Sequence, residues 1–342
     1  MRIGINTFKE VAMKTAIKTL LMSLLVVVPG LFAQSKRPMS LVQTIPLPGV
    51  RGRIDHLSID LKGHRLFVSA LGNDTVEVID LASGKDIHSI TGMREPQGVL
   101  YVPESGMLFV ANGGDGTCRV LDGHTYKLLS TVHYPSDADD IRYDSAAGLV
   151  YVAYGTGGLG VLSAATGKEL GTIKLSGHPE AFEVENRGAR IYVNIPDEQE
   201  IAVADWNRRS VILRWPMKTC HDNFPMAFDS VHQRLFVGCR RPPELLVLDS
   251  RSGKIVSRLK VAGDTDDLYY DAANKRIYVS GGQGVISVVD QIDADHYRLA
   301  ATIPTASGAR TSLFVPELKR FYLAGPRRGP RSAAMQVYKV NP

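Results

Sequence analysis

A short phrase, in which an aromatic residue is followed by a β-branched run and a turn rich in Gly, Asn or Pro, occurs seven times in this chain of 342 residues. Its aromatic residues are Phe67, Phe109, Tyr151, Tyr192, Phe236, Tyr278 and Tyr322. They lie 41 to 44 residues apart, a period typical of propeller blades and solenoid units. A repeat this regular constrains the fold strongly, because each unit must pack against copies of itself.

Each repeat has the pattern of four short strands. The strand that carries the aromatic residue is followed by a second alternating strand, such as TVEVID or LLVLD, and then by a turn of the type D-x-x-[ST]-G-K. Aspartate at the head of such a turn accepts backbone N–H bonds, and glycine supplies the positive φ. One small sheet cannot bury both of its faces alone. The sequence therefore predicts an all-β fold, a seven-bladed β-propeller of four-stranded blades.

The last repeat lacks one strand before the chain ends at Pro342. A strand-like segment at residues 41–48, LVQTIPLP, precedes the first complete repeat. We expect this N-terminal strand to join the C-terminal blade and so close the ring. The prediction leaves one propeller domain over residues 41–342 and no residues for a second domain.

The N-terminus has the pattern of a secretory signal peptide over residues 1–33. Lysines precede an apolar block that ends in small residues before Gln34, and the proportions fit a start at Met13 better than one at Met1. We predict a periplasmic or secreted protein with no transmembrane domain after cleavage, and an uncleaved anchor is the alternative. Removing this leader takes away four basic residues and one acidic residue, so the formal charge falls from +5 to +2. Nothing in this low overall charge indicates a nucleic-acid partner.

The repeated [RK]-x-[LIV]-[YF]-V phrase, coupled to V-x-V-[IL]-D and [ST]-G-K, resembles the YVTN-type seven-bladed propellers over residues 41 to 340. The resemblance implies the propeller fold and an exported bacterial protein. It implies little about activity, because that family includes enzyme subunits, lactonases and proteins of unknown role. Nucleic-acid binding, which the resemblance associates with some relatives, is disfavoured here by the export signal and the low charge.

Position within a propeller repeat gives position in space, since the loop that enters each first strand opens on the top face. Twelve residues before the aromatic positions lie Asp55, Gln97, Asp139, Glu180, Phe224, Asp266 and Arg310. Fourteen before lie Arg53, Glu95, Asp137, His178, Asp222, Asp264 and Gly308. We call these two sets the twelve-before row and the fourteen-before row. Eight of the fourteen residues are acidic, which predicts an acidic mouth on the top face of the channel.

From these rows we take candidate ligand-binding residues at the channel mouth: Asp55, His56, Asp137, Asp139, His178, Glu180, His221, Asp222, Asp264, Asp266 and Arg310. Arginines in the outer loops are expected to form a rim around the mouth, and they are Arg240, Arg241, Arg327 and Arg328. Two explanations stay open. The carboxylates either cap neighbouring blades through backbone N–H groups and trapped water, or form a binding site.

A cation is one candidate ligand of this mouth. Asp139, Glu180 and Asp266 offer carboxylate oxygens, which favour a hard divalent cation such as Ca²⁺. His178 and His221 leave room for a transition metal, although each is equally explained as a hydrogen-bonded structural histidine. No cofactor follows with certainty from these residues.

Three cysteines leave at least one thiol unpaired. Cys118 replaces a valine of another repeat, so we expect a buried free thiol. Cys220 and Cys239 flank one blade on the top-face side, and they are either a disulfide or two separate thiols.

Several activities lack their motifs. GTGGLG at residues 155–160 matches the dinucleotide-binding fingerprint, but a strand and a turn follow it instead of a helix, which excludes a dinucleotide. The chain has no G-x-S-x-G nucleophile elbow, H-E-x-x-H or C-x-x-C-H motif.

Two functions compete. The first is a non-catalytic exported propeller that binds a small molecule, peptide or protein at its acidic mouth, and the lack of a committed catalytic set favours it. The alternative is a metal-assisted hydrolase or lactonase-like enzyme that uses the same top-face carboxylates, with a cation polarising a carbonyl and a neighbouring Asp or His as base.

Overall fold

The computed structural model describes residues 37–185 and 188–342. They form seven four-stranded antiparallel sheets, which confirms the predicted seven-bladed β-propeller. The predicted signal peptide of residues 1–33 and the candidate start at Met13 lie outside the described residues. No helix within the described ranges is long and apolar enough to cross a membrane.

The ring closes as predicted. The first strand, β1 (Met39–Pro46), is the outermost strand of blade 7, and it pairs antiparallel with the last strand, β28 (Ala334–Val340). The predicted bounds of this strand, residues 41–48, are two residues too late at both ends. After Pro46 the chain leaves the sheet because Leu47 begins a turn in which its carbonyl accepts the Val50 N–H at 3.1 Å.

The other strands run in chain order from the innermost to the outermost strand of each blade. Blade 1 has β2 (Leu57–Asp60), β3 (Arg65–Ala70), β4 (Thr75–Asp80) and β5 (Lys85–Ile90). Blade 2 has β6 (Pro96–Val102), β7 (Met107–Asn112), β8 (Thr117–Asp122) and β9 (Leu128–His133). Blade 3 has β10 (Ala138–Asp144), β11 (Leu149–Tyr154), β12 (Gly158–Ser163) and β13 (Glu169–Lys174).

Blade 4 has β14 (Phe182–Val184), β15 (Arg190–Ile195), β16 (Glu200–Asp205) and β17 (Ser210–Pro216). Blade 5 has β18 (His221–Asp229), β19 (Arg234–Arg241), β20 (Glu244–Asp249) and β21 (Ile255–Lys260). Blade 6 has β22 (Thr265–Asp271), β23 (Arg276–Gly281), β24 (Val285–Gln291) and β25 (Tyr297–Pro304). Blade 7 adds β26 (Ser312–Val315) and β27 (Arg320–Gly325) to β28 and β1.

The hydrophobic core lies between the blades. Seven clusters of buried side chains occur among the described residues, and each joins two neighbouring blades. Between blades 1 and 2, for example, Phe67 stacks on Tyr101 with ring centroids 5.8 Å apart. Because both faces of the second and third strands are covered, these strands are buried at nearly every position. Truncating one such aromatic residue to alanine costs about 3–5 kcal/mol.

The turns between the third and fourth strands follow the predicted chemistry. Asp80 accepts the Ser83 N–H at 2.6 Å, and Asp249 accepts the Ser252 N–H at 3.0 Å. The glycine of the second turn, Gly253, has φ +72°, as the turn requires. The segment 155–160 connects β11 to β12, so it is the hairpin turn that the sequence indicated and has no helix behind it.

Candidate functional site

The candidate site residues lie close to where the innermost strands begin, and two of them lie at irregularities of strand pairing. The register between β10 and β11 shifts from Ala138 to Ile141, and that between β22 and β23 shifts from Thr265 to Asp267. Such β-bulges change the direction of side chains within a strand. Asp139 and Asp266 lie within these two bulges and line the same cavity of the channel.

This cavity, which we call the chamber, has a volume of about 230 Å³. It is lined by Arg53, Asp55, His56, Gln97, Asp137, Asp139, His178, Glu180, Phe224, Arg240, Asp266 and Arg310. All seven residues of the twelve-before row are among them. Eleven of the twelve lining residues are polar or charged, so the chamber is lined almost entirely by polar side chains.

Only part of the fourteen-before row lines the chamber. Arg53, Asp137 and His178 line the chamber, whereas Asp222 and Asp264 do not. Asp137, Asp222 and Asp264 have φ values of +36°, +59° and +54°. Aspartate tolerates this left-handed conformation better than most residues. Several acids of this row are therefore explained by the shape of the loop, which supports the structural explanation for that row.

The four arginines that were predicted to form a rim lie in three different places. Arg241 lies outside the chamber and pairs with Asp222 at 2.6 Å, and His221 is exposed beside them. Arg327 and Arg328 line a neighbouring depression together with Asp264. Arg240 is not a rim residue: its guanidinium reaches inward and stacks over the Phe224 ring, 3.6 Å from the centroid.

Two arginines neutralise Asp266. Arg240 donates a hydrogen bond to Asp266 Oδ1, and Arg310 Nε lies 2.9 Å from Asp266 Oδ2. Burial raises the pKa of Asp266, but Arg240 and then Arg310 outweigh it and hold that pKa below its ordinary value. Asp266 was predicted to share a cation with Asp139 and Glu180. Its carboxylate is already bound by two guanidiniums, so we remove it from that ligand set.

Asp55 lies at the equivalent position of blade 1 and is less well compensated. Its Oδ2 accepts a hydrogen bond of 2.8 Å from Arg53, and its Oδ1 lies 3.9 Å from His56 Nε2. Burial raises the pKa of Asp55 to about 6, because it outweighs the opposing effects of His56 and Arg53. Arg53 is half-exposed, so water screens its charge.

Blades 3 and 4 contribute a second cluster, formed by Asp139, His178 and Glu180. His178 Nε2 lies 3.7 Å from Asp139 Oδ2 and 3.7 Å from Glu180 Oε1. The Asp139 carboxylate, with those of Glu180 and Asp137, raises the pKa of His178 to about 9 although burial opposes it. Burial is also the main cause of the raised pKa of Glu180. These three residues form a group whose ligand atoms lie close enough to hold one metal ion.

A second cavity of about 330 Å³ lies further along the channel, and His56 lines both. His56 Nδ1 is 3.5 Å from Asp267, whose Oδ2 accepts the Ser312 N–H of blade 7 at 2.6 Å. Arg142 donates to Asp140, and burial raises the pKa of Glu183 to about 7. We call this second cavity the lower channel.

Sequence reasoning did not select Arg53, Gln97, Arg142 or Glu183 as site residues. A signal for the last two was available. Polar residues alternate along the innermost strand of blade 3, where Arg142 follows Asp140 at the two-residue period of one strand face. A charged residue inside a strand that ought to be buried indicates a channel-facing position.

A disulfide joins Cys220 to Cys239, with the Cα atoms 5.6 Å apart, and Cys118 is a buried free thiol. Cys239 immediately precedes Arg240 in β19. The disulfide therefore fixes the segment of blade 5 that brings the Arg240 guanidinium to Asp266.

No protein-family model and no curated protein matches this sequence. Two solved structures show the fold. A chain of the mitotic checkpoint complex is 12% identical, with a TM-score of 0.75 and coverage of 100% of this chain and 99% of that chain. Hydrazine synthase of Kuenenia stuttgartiensis is 16% identical, with a TM-score of 0.70 and coverage of 84% of this chain and 95% of that chain. The shared feature is the propeller. At these identities the likeness carries no function.

Proposed function

We propose that this protein is an exported, YVTN-type binding propeller whose chamber holds the positively charged group of a small polar ligand. The main observation is that, among the described residues, the carboxylates of blades 3 and 4 have the His178 ring 3.7 Å away and accept no direct hydrogen bond. Asp139 is 9% exposed, and neither it nor Glu180 accepts a side-chain hydrogen bond from the described residues. A buried carboxylate without a donor is costly, and a cationic ligand would remove that cost.

Charge balance within the chamber supports the same proposal. Its lining contains five carboxylates, three guanidiniums and two histidines. His178, whose pKa is raised to about 9, carries a proton at pH 7, and a bound cation that displaces this proton takes its place beside the carboxylates. The five carboxylates are Asp55, Asp137, Asp139, Glu180 and Asp266. Chamber size supports a small ligand or one terminal group of a larger one, since drug-sized ligands occupy about 300–1,000 Å³.

Export is supported by two features that are independent of each other. One is the leader pattern of residues 1–33, and the other is the disulfide between Cys220 and Cys239, a bond typical of oxidising compartments. The mass of the protein recovered from the periplasm or medium should correspond to a chain that begins at Gln34. A product that retains the leader in the membrane fraction would contradict cleavage.

The binding proposal is tested by calorimetry in a chelating buffer with methylamine, 1,4-diaminobutane and lysine. At least one of these amines should bind with one site per chain. The D139N/E180Q double variant removes both unpartnered charges and should weaken that binding at least about tenfold. The control is D222N, since Asp222 lies on the same face outside the chamber. Binding of equal strength in D139N/E180Q, or no binding of any amine or metal ion, would make the proposal wrong.

A further inference from the structure

The spacing within the Asp139, His178 and Glu180 cluster is unsuited to direct hydrogen bonds. Both contacts of His178 Nε2 measure 3.7 Å, beyond the 2.7–3.2 Å of an N–H···O bond. Two atoms bound to one ion at about 2.1 Å in a tetrahedral site lie roughly 3.4 Å apart. The observed distances are a few tenths of an ångström from that value. Since all three ligand atoms lie within 4.8 Å of one another, small side-chain rotations would let one ion placed between them contact all three.

We propose that Asp139, His178 and Glu180 are the protein ligands of one first-row divalent metal ion, of which Zn²⁺ is the probe. This inference rests on the proposed function, since it identifies the positive charge in the chamber as a metal ion. His178 supplies Nε2, and the two carboxylates supply one oxygen each.

An independent observation supports a ligand at this point. Asp139 lines the chamber and is a buried residue, 9% exposed, yet no described residue donates a direct hydrogen bond to its carboxylate. In comparison, the neighbouring bulge residue Asp140 accepts a bond from Arg142. Buried polar groups in proteins are almost always satisfied, so an unpartnered carboxylate indicates a partner that is not a protein group.

The donor set selects the class of metal. An imidazole nitrogen favours zinc and other first-row transition metals, whereas Ca²⁺ takes six to eight oxygen ligands. Only two carboxylates lie beside His178 Nε2, and the third predicted oxygen donor, Asp266, is bound by Arg240 and Arg310. This changes the expectation from a Ca²⁺ site of three carboxylates to a transition-metal site with one histidine.

A fourth chamber residue, Asp137, lies beside the proposed ligands. Asp137 Oδ2 lies 3.9 Å from His178 Nδ1, the ring nitrogen opposite to the proposed ligand atom. A carboxylate hydrogen-bonded at that position orients a metal-bound histidine and increases its basicity, so Asp137 would become a positioning residue if metal binding brings the two groups within hydrogen-bond distance. Three protein ligands leave at least one coordination position for water or a ligand atom within the chamber.

The test uses the full chain, recovered after export. The protein is treated with chelator, and the chelator is then removed by gel filtration. Titration with Zn²⁺ against a competing indicator should give one tight site per chain, and Ca²⁺ at the same concentration should not compete. H178Q, D139N and E180Q should each weaken Zn²⁺ binding at least about tenfold, because losing a direct ligand should cost no less than losing its supporting partner.

The matched control is H221Q, which removes an exposed histidine of the same face and should leave the affinity unchanged. Melting curves check that each variant is folded, and if one variant fails to fold the other two decide. The inference is overturned if no stoichiometric Zn²⁺ site exists, if the three ligand variants bind as tightly as the parent protein, or if Ca²⁺ binds equally well. Binding of amines without binding of Zn²⁺ would overturn this inference and leave the proposed function standing, whereas binding of neither contradicts both.

Discussion

Blades 1 and 6 place an aspartate at the same position of the channel mouth, but the two carboxylates have opposite electrostatics. Asp266 is bound by Arg240 and Arg310, whose side chains are only 17% and 23% exposed, and its pKa is lowered. Asp55 has one guanidinium, that of the half-exposed Arg53, and its pKa is raised to about 6. Burial acts in the same direction on both, so the number and the burial of the arginines decide the sign.

The comparison separates what determines the position of a side chain from what determines its charge state. The repeat determines where a side chain lies, since both aspartates occupy the twelve-before row. Neighbouring blades determine its charge state, since Arg240 comes from blade 5 and Arg310 from blade 7. A guanidinium shielded from water attracts a carboxylate more strongly than an exposed one at the same distance. Carboxylates counted from the sequence therefore overstate the charge that is free to bind a ligand.

The largest expected effect comes from removing the disulfide of blade 5, which lies next to Arg240. Replacing Cys220 and Cys239 by serine removes a disulfide across 19 residues, and chain entropy gives a loss of about 3 kcal/mol in unfolding free energy. Urea unfolding of the oxidised parent and of C220S/C239S measures the difference. Reductant should destabilise the parent and leave the double variant unchanged. Equal midpoints of the two oxidised proteins would show that the disulfide does not stabilise blade 5.

Register alone was enough to find ten of the twelve residues that line the chamber, whereas His56 and Arg240 lie outside both rows. The aromatic positions are buried between blades, so residues at a fixed distance before them reach the same level of the channel in every blade. All seven members of the twelve-before row line the chamber for this reason. The seven blades and the turns headed by Asp80 and Asp249 could be predicted because each depends on local pattern, and the closure by β1 could be predicted because the last repeat lacked one strand.

Pairing between blades could not be predicted in the same way. Arg240 was expected at the rim, because its backbone lies at the end of β19, but its long side chain crosses to a carboxylate 26 residues away. The fourteen-before row shows a related limit, since Asp222 and Asp264 serve a left-handed loop and not the chamber. Sequence position gives the location of the Cα atom, whereas the direction and partners of a side chain depend on contacts with other blades.

The second prediction removes the well-compensated carboxylate. D266N removes the charge that Arg240 and Arg310 share, and we expect the unfolding free energy at pH 7 to fall by about 2 kcal/mol, as for the loss of a hydrogen bond between charged groups. Because the folded pKa of Asp266 is lowered, its contribution is present above its unfolded pKa and is lost as the pH falls through the folded pKa. The control is D264N, whose carboxylate also contacts Arg310 but is 44% exposed. Equal unfolding midpoints for D266N and D264N would contradict the assigned role of Asp266.

The smallest expected effect has the opposite sign and comes from Asp55. Its folded pKa of about 6 is above the unfolded value of 3.8, so the two states take up protons differently between these values. Below pH 4 the carboxyl is protonated in both states and contributes no difference. As the pH rises to 6 the unfolded state ionises first, and the parent loses stability that D55N keeps. Loss of the Arg53 hydrogen bond offsets part of this gain, so D55N should be more stable by about 1 kcal/mol at pH 7. Urea midpoints of both proteins are measured in chelator from pH 4 to 8. They should diverge up to pH 6 and then stay parallel. A difference that does not depend on pH would mean that burial does not control the charge of Asp55.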